Sequence, residues 1–486
     1  MKPSPQRIFW LSLILYVLLL FVPDKKFGLV IIAVFVGYLL RITNKTEALV
    51  LSFIVLSPLT VGKQFLIELV SSTQLHIFGR PFGISADIVL TARDGIAALM
   101  AILVAIDAYT QRRIFIPRDL LGKLLFLVPV SFMAASVMGS ILPGFSMLHS
   151  LFFWEPFILY VFLKTSKYRV RRELVVAGII AAVLFESIFA LLQLVWGGPL
   201  GLAIEYFPEY APLDMSRDVG GSVVRMGGTF AHANLLASYL VFMLPVVLPW
   251  VFHRQNKISH YALAGVLLGI LALLATLSRA AWIGMAISFL VFFYLAEKRL
   301  RMRLSVPITI TRWGKGAIVI LVLAGGIAIL PRLGSTLYTF ERYGSVETRM
   351  LLLTEATRAI RTHPLFGVGL AMDVYYMFQH ARATSYGESV FTYFPEPVHN
   401  GFLKLFVETG ITGLVPYLMT IALLGARLYT GMRRTKGTEG LYQAGLFIAG
   451  IAALINIQFQ PILPDLQQIV PLTIIYGYFI RSPVQT

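Results

Sequence analysis

Between His260 and Ala296 the chain is apolar almost without interruption, and its only charge is Arg279. As one helix rising 1.5 Å per residue, this stretch would be about 55 Å long, whereas a bilayer's hydrocarbon core is about 30 Å thick. Arg254 and Lys257 precede it, and Lys298, Arg299, Arg301 and Arg303 follow it. Both ends therefore belong on one side of a membrane, and the stretch must be two spans. Ser278 and Arg279 break it, which puts Arg279 at a tight turn on the opposite side.

The rest of the sequence has the same character. Of 486 residues, 57% are hydrophobic and only 13% charged, with a mean hydropathy of +0.78. A water-soluble chain of this size would have to expose large apolar patches, so soluble enzymes, nucleic-acid binders and disordered proteins are excluded. The expected fold is all-α, a polytopic transmembrane helical bundle of about 12–14 spans. The chain carries 41 Lys+Arg against 24 Asp+Glu, a net charge of +17. Such an excess matches the positive-inside bias and contact with anionic lipid. If the spans alternate, 26 of the basic residues fall on the side of the N-terminus and 15 on the other, which predicts both termini in the cytoplasm. Lys2 and Arg7 lead into the first apolar run with no small-residue cleavage site after it, so that run reads as a retained span.

Three regions follow. Residues 1–330 are transmembrane helices with short loops, apart from an outer loop near 198–231. Residues 331–399 form a long, partly helical extracytoplasmic loop, and 400–486 return to transmembrane helices. A helix is predicted over 346–362, with Ser345 as N-cap, Val346, Met350, Leu353 and Ile360 as its apolar stripe, and His363-Pro364 as its stop. It is expected to lie on the outer membrane surface as a lid.

Four polar stretches fall at the outer face by this topology. They are Arg225 to Asn234, Thr276 to Trp282, Glu347 through Arg349 to Gly369, and His399 to Gly413. The last, HNGFLKLFVETGITG, resembles the signature of the O-antigen ligase and O-antigen polymerase superfamily. The GTFAHAN stretch, the Ser278-Arg279 turn and the HPLFGVG stretch occur in that family's order, so the resemblance covers roughly 220–420. It departs at Ala233, where the family often has proline. The resemblance implies a membrane glycosyltransferase of the bacterial plasma (inner) membrane, working without metal or other cofactor. Its donor would be a glycan on undecaprenyl pyrophosphate, and its acceptor a hydroxyl of a lipid or glycan such as a lipid A core. Membrane lipids are further partners and nucleic acid is not.

The residue types suit that chemistry. Arginine is always charged and binds phosphate bidentately, so Arg225 and Arg279 are candidates to hold the departing pyrophosphate, with Arg349 a third contact. Each has a plainer reading: Arg279 snorkelling to headgroups, Arg349 pairing with Glu355. His399 is the candidate base. It follows Pro395 and Pro397 and opens the apolar run 401–426, so either His399 or Asn400 sits near an N-cap, where the helix dipole favours neutral imidazole. Glu408 is expected to hold an arginine or Lys404, and Asn400, Asn234 and His232 complete the substrate-binding candidates. Gly367 and Gly369 read as a turn after Pro364. No Asp-x-Asp pair suited to a divalent ion on a sugar diphosphate is present, and the chain has no cysteine. Ligase and polymerase share these parts, and the long loop before His399 favours ligase. A flippase or transporter would need ionisable groups along a midplane path, which Asp107, Glu186 and Gln193 do not form.

Overall fold

The computed structural model describes residues 3–299, 345–380 and 397–458, apart from short loop stretches at 24, 60–61, 71–75, 78–79, 82–83, 113–116, 169, 203, 206–214, 219–220, 231 and 253–257. The apolar runs at 316–330 and 467–480, which the sequence offers as two further spans, lie outside those residues. Helices α1 (Pro5–Leu20), α2 (Lys25–Ile42), α3 (Lys45–Leu56) and α4 (Ala92–Thr110) come first. They are followed by α5 (Leu120–Gly139), α6 (Pro143–Ser150), α7 (Glu155–Thr165) and α8 (Arg172–Trp196). Next are α9 (Ala233–Val251), α10 (Ile258–Ala275), α11 (Arg279–Tyr294), α12 (Ser345–Thr362) and α13 (Asp373–His380). The last are α14 (Gly401–Arg434) and α15 (Gly437–Ile457).

Among the described residues, eight helical segments are long and apolar enough to cross a membrane. The protein is an all-α, multi-pass membrane protein. The long apolar stretch is two helices, α10 and α11, separated by Thr276, Leu277 and Ser278. Helix α8 is apolar around its whole circumference and buried along most of its length, so it occupies the centre of the bundle. Helices α1, α3, α9 and α10 pack around it. Three antiparallel strand pairs interrupt the helices among the described residues: β1 (Gly62–Val70) with β4 (Ile84–Thr91), β2 (His76–Ile77) with β3 (Arg80–Pro81), and β5 (Met215–Asp218) with β6 (Gly221–Val224), where the sequence predicts no strand.

Ion pairs and hydrogen bonds sort the helix ends into two groups. At one end, Arg171 meets Glu47 at the start of α3, and Arg172 meets Glu439 at the start of α15. At the other end, α15 finishes beside the start of α14, where Asn400 Nδ2 donates to Gln458 Oε1 at 3.0 Å, and beside α9, where Asn456 bonds Ser238. The first turns of α9, α11 and α14 therefore share one end of the bundle with the last turns of α8, α10 and α15. All four sequence stretches lie there.

Helix α12 ends at Thr362, before His363-Pro364, as expected. The face it packs into the protein lies beside the expected apolar stripe, of which Ile360 is partly buried. Leu352, Ala356 and Ala359 pack with Met372, Tyr376 and Val398, while Met350 is 57% and Leu353 44% exposed. Two alanines let the helix approach its neighbours closely, so the small residues face inward and the larger apolar ones outward. Val346 has no described side chain.

Candidate functional site

The turn between α10 and α11 is the first component. Leu277 adopts φ +55°, a left-handed conformation that lets the chain reverse in three residues. Trp282 Nε1 donates to Leu273 O at 3.1 Å and Thr276 Oγ1 to the same carbonyl at 2.7 Å, fixing the turn. Arg225, buried although it precedes a loop, donates from Nε to Thr276 O at 2.9 Å and from Nη2 to Asn234 Oδ1 at 2.6 Å. His232 caps α9, its Nδ1 accepting the Asn234 amide at 3.0 Å. The structure thus joins Arg225, His232 and Asn234 to the turn that carries Arg279. Arg279 itself is exposed and makes no hydrogen bond or ion pair among the described residues.

The loop after Arg225 is seated on α8. Gln193 exchanges two hydrogen bonds with the Gly228 backbone, at 2.9 and 3.0 Å. Glu186 accepts from the Thr229 amide at 3.0 Å and from its hydroxyl at 2.6 Å. Glu186 and Gln193, considered above for a transport path, hold this loop in place.

The second component is the start of α14. Asn400 is the N-cap: its Oδ1 accepts the Leu403 amide at 3.0 Å. His399 is therefore the residue just before the cap, partly buried, with its backbone directed by the capping geometry. Ten residues after the cap, the helix breaks. Gly410 takes φ +61° and ψ −165°, a combination open to glycine alone. The hydrogen bonds from Ile411 N to Val407 O and from Thr412 N to Glu408 O are replaced. Val407 O and Glu408 O accept from Val368 N and Gly369 N, each at 2.9 Å. Ile411 N and Thr412 N donate to Pro364 O at 2.9 Å and Leu365 O at 3.1 Å. The HPLFGVG segment is thus threaded into the break, and all four released backbone groups find partners. Gly367, at φ +66°, lies so close that a Cβ there would sit 2.5 Å from Val407 O. A turn packed on a broken helix is what the two glycines of this stretch serve.

Just before the break, Lys404 donates to Asp373 Oδ1 at 2.7 Å and to Glu408 Oε1. Glu408 Oε1 also accepts the Ala371 amide at 3.0 Å, and its carboxylate is buried. Glu408 holds Lys404, as anticipated. Asp373 was missed, and no signal in the sequence links it to a lysine in a separate helix. Glu355 pairs with Arg358 at 2.7 Å. The Arg349 side chain lies outside the described residues, although its backbone belongs to α12.

Residues 264–418 match the family described as O-antigen ligase. The match spans about a third of the chain and includes Arg279, Arg349, the HPLFGVG segment, His399, Asn400 and Glu408. Over this range the resemblance to the O-antigen ligase and polymerase superfamily, a family of membrane glycosyltransferase-type enzymes, is established. Arg225, His232 and Asn234 lie before it. Among curated proteins, none matches the chain.

Proposed function

We propose, from the O-antigen ligase match, that this membrane protein transfers a glycan from undecaprenyl pyrophosphate to an acceptor hydroxyl at the outer face of the bacterial plasma membrane. The observation that carries the reading is the pair of arginines at one turn. Arg225 is bonded to Thr276 O, and three residues later stands Arg279, exposed and unpaired among the described residues.

In this mechanism His399 takes the proton of the acceptor hydroxyl. The hydroxyl oxygen attacks the anomeric carbon from the face opposite the leaving group, with inversion. The bond from that carbon to the pyrophosphate oxygen breaks, and its electron pair leaves with the pyrophosphate. Arg225 and Arg279 stabilise the departing dianion, Arg349 is a third contact, and no metal is required. The N-terminus of α14 adds partial positive charge beside His399, favouring neutral imidazole before the step. Asn400, Asn234 and His232 line the substrate, and residues 331–399 cover it. Both termini lie in the cytoplasm, consistent with the excess of basic residues on that side.

A ligase is preferred to a polymerase because of the length of the loop before His399, which suits an acceptor unlike the donor. Deleting the gene in its own host tests this. Loss of a ligase leaves full-length glycan stranded on undecaprenyl pyrophosphate. Single repeat units on the carrier, without long chains, would identify a polymerase instead. Unchanged surface glycan and unchanged carrier-linked glycan would refute both.

A further inference from the structure

We infer that Lys404 is a positioning residue for His399, acting through Asp373 and Glu408 and not as a ligand of the pyrophosphate. The inference rests on the reading of His399 as base. Lys404 is tethered at both ends of its reach. Its amide donates to Asn400 O at 2.8 Å, the first turn of α14, and its ammonium bridges Asp373 and Glu408. The Lys404 side chain is 12% exposed, those of Asp373 and Glu408 2% and 1%. A lysine so enclosed, with two of its donors committed to carboxylates, presents little to a ligand.

What it gains is a fixed frame around the histidine. Asp373 Oδ2 faces the Val398 amide at 3.4 Å, a long contact to the residue just before His399. Asn400, just after it, is fixed by its cap to Leu403 and its bonds to Gln458. Glu408 Oε1 joins the same lysine to the Ala371 amide, so the triad binds α14 to the chain leading into α13. His399 is thereby held between two anchored neighbours, and Lys404 is the charge that keeps both buried carboxylates in place.

Removing Lys404 alone would leave two buried carboxylates without their cation. The informative variant is therefore the neutral triple Lys404→Met/Asp373→Asn/Glu408→Gln, set beside Lys404→Arg in full-length protein. Three readouts are needed: binding of undecaprenyl pyrophosphate, glycan transfer in membranes of the deletion host, and amide exchange in residues 397–405. The triple variant should bind the lipid within threefold of the parent, lose transfer at least tenfold, and exchange the Val398 amide at least tenfold faster. Lys404→Arg should keep transfer within threefold. If the triple variant does not fold, Asp373→Asn alone, which leaves the Lys404–Glu408 pair intact, should reduce transfer at least threefold with lipid binding unchanged. Tenfold weaker lipid binding in the triple variant would make Lys404 a phosphate ligand and overturn the inference, as would unchanged exchange with parental transfer. Normal transfer by His399→Ala would instead remove His399 as base, a failure distinct from that of the triad.

Discussion

At the end of the bundle where α8 begins, Arg171 forks onto Glu47 with Nε to Oε1 at 2.8 Å and Nη2 to Oε2 at 2.9 Å. Arg172 meets Glu439 at 2.6 Å, and Arg427 lies 3.5 Å from Asp119. Burial draws the Asp119 carboxyl upward, but the Tyr160 hydroxyl, Lys164 and Arg427 outweigh it and hold it below the usual carboxylate range. At the opposite end, Arg358 pairs with Glu355 within α12, whereas Arg225 bonds a carbonyl and an amide oxygen, and the Arg279 side chain has no partner among the described residues. At the first end, arginine–carboxylate pairs staple separate helices together by charge. The end that carries the candidate site is fastened by backbone at the HPLFGVG segment in the break of α14, by Gln193 and Glu186 under the Gly228–Thr229 loop, and by the buried Lys404–Asp373–Glu408 cluster. Arg279 is the guanidinium left available there for an anionic ligand, since an arginine already neutralised by a carboxylate has less to offer a phosphate.

The backbone fastening is the part whose loss should cost most. In Gly410→Ala, the new Cβ would sit 2.3 Å from Leu365 O, at a φ of +61° that alanine resists. The expected destabilisation is about 3 kcal/mol or more. In detergent it would appear as a lower melting temperature and faster exchange at Ile411 and Thr412. A melting temperature within about 2 °C of the parent would show that the site end is held by something else.

At the charge-stapled end, Arg171→Met leaves the Glu47 carboxylate, 3% exposed, without its fork. Breaking such a pair costs about 3 kcal/mol when both partners are buried; Arg171 is 37% exposed, so about 2 kcal/mol is expected. Arg171→Met/Glu47→Leu, which removes both charges, should recover most of the loss. Transfer per folded molecule should stay within about twofold in both variants, a change worth less than about 0.5 kcal/mol. A specific loss of transfer would mean that the two ends are not separate in function.

Hydropathy and charge reveal the larger features because they are set by the membrane itself. The two spans around Arg279 follow from length alone, and the stop of α12 from a proline. The interior of the site end is harder to read. The break at Gly410 looks like one more glycine in an apolar run, since its cause is a segment some 40 residues earlier supplying four backbone partners. Asp373 is silent for the same reason: its bond to Lys404 depends on how two helices pack. The face of α12 that packs on the protein is silent too, because period alone does not separate a face lined by alanine from one lined by methionine and leucine. Hairpin β1–β4 shows only as β-branched residues between Pro58 and Ala92, too weak a pattern among so many apolar helices.

The smallest change tests the site end most directly. Arg279→Lys keeps one positive charge at the first position of α11 and removes only the planar fork. Because Arg279 makes no bond among the described residues, neither the turn nor the helix should notice, and the melting temperature should stay within about 1 °C. A residue that merely snorkels to headgroups would be served as well by lysine. A residue that grips a pyrophosphate at two oxygens would not, because an ammonium meets the phosphate as a point charge without the second parallel hydrogen bond. Transfer should then fall at least tenfold, about 1.4 kcal/mol of lost transition-state stabilisation. The same substitution at Arg172, whose partner is Glu439, should leave transfer unchanged. Equal transfer by Arg279→Lys and the parent would make Arg279 a residue that only snorkels to headgroups, and the contrast between the two ends would lose its functional meaning.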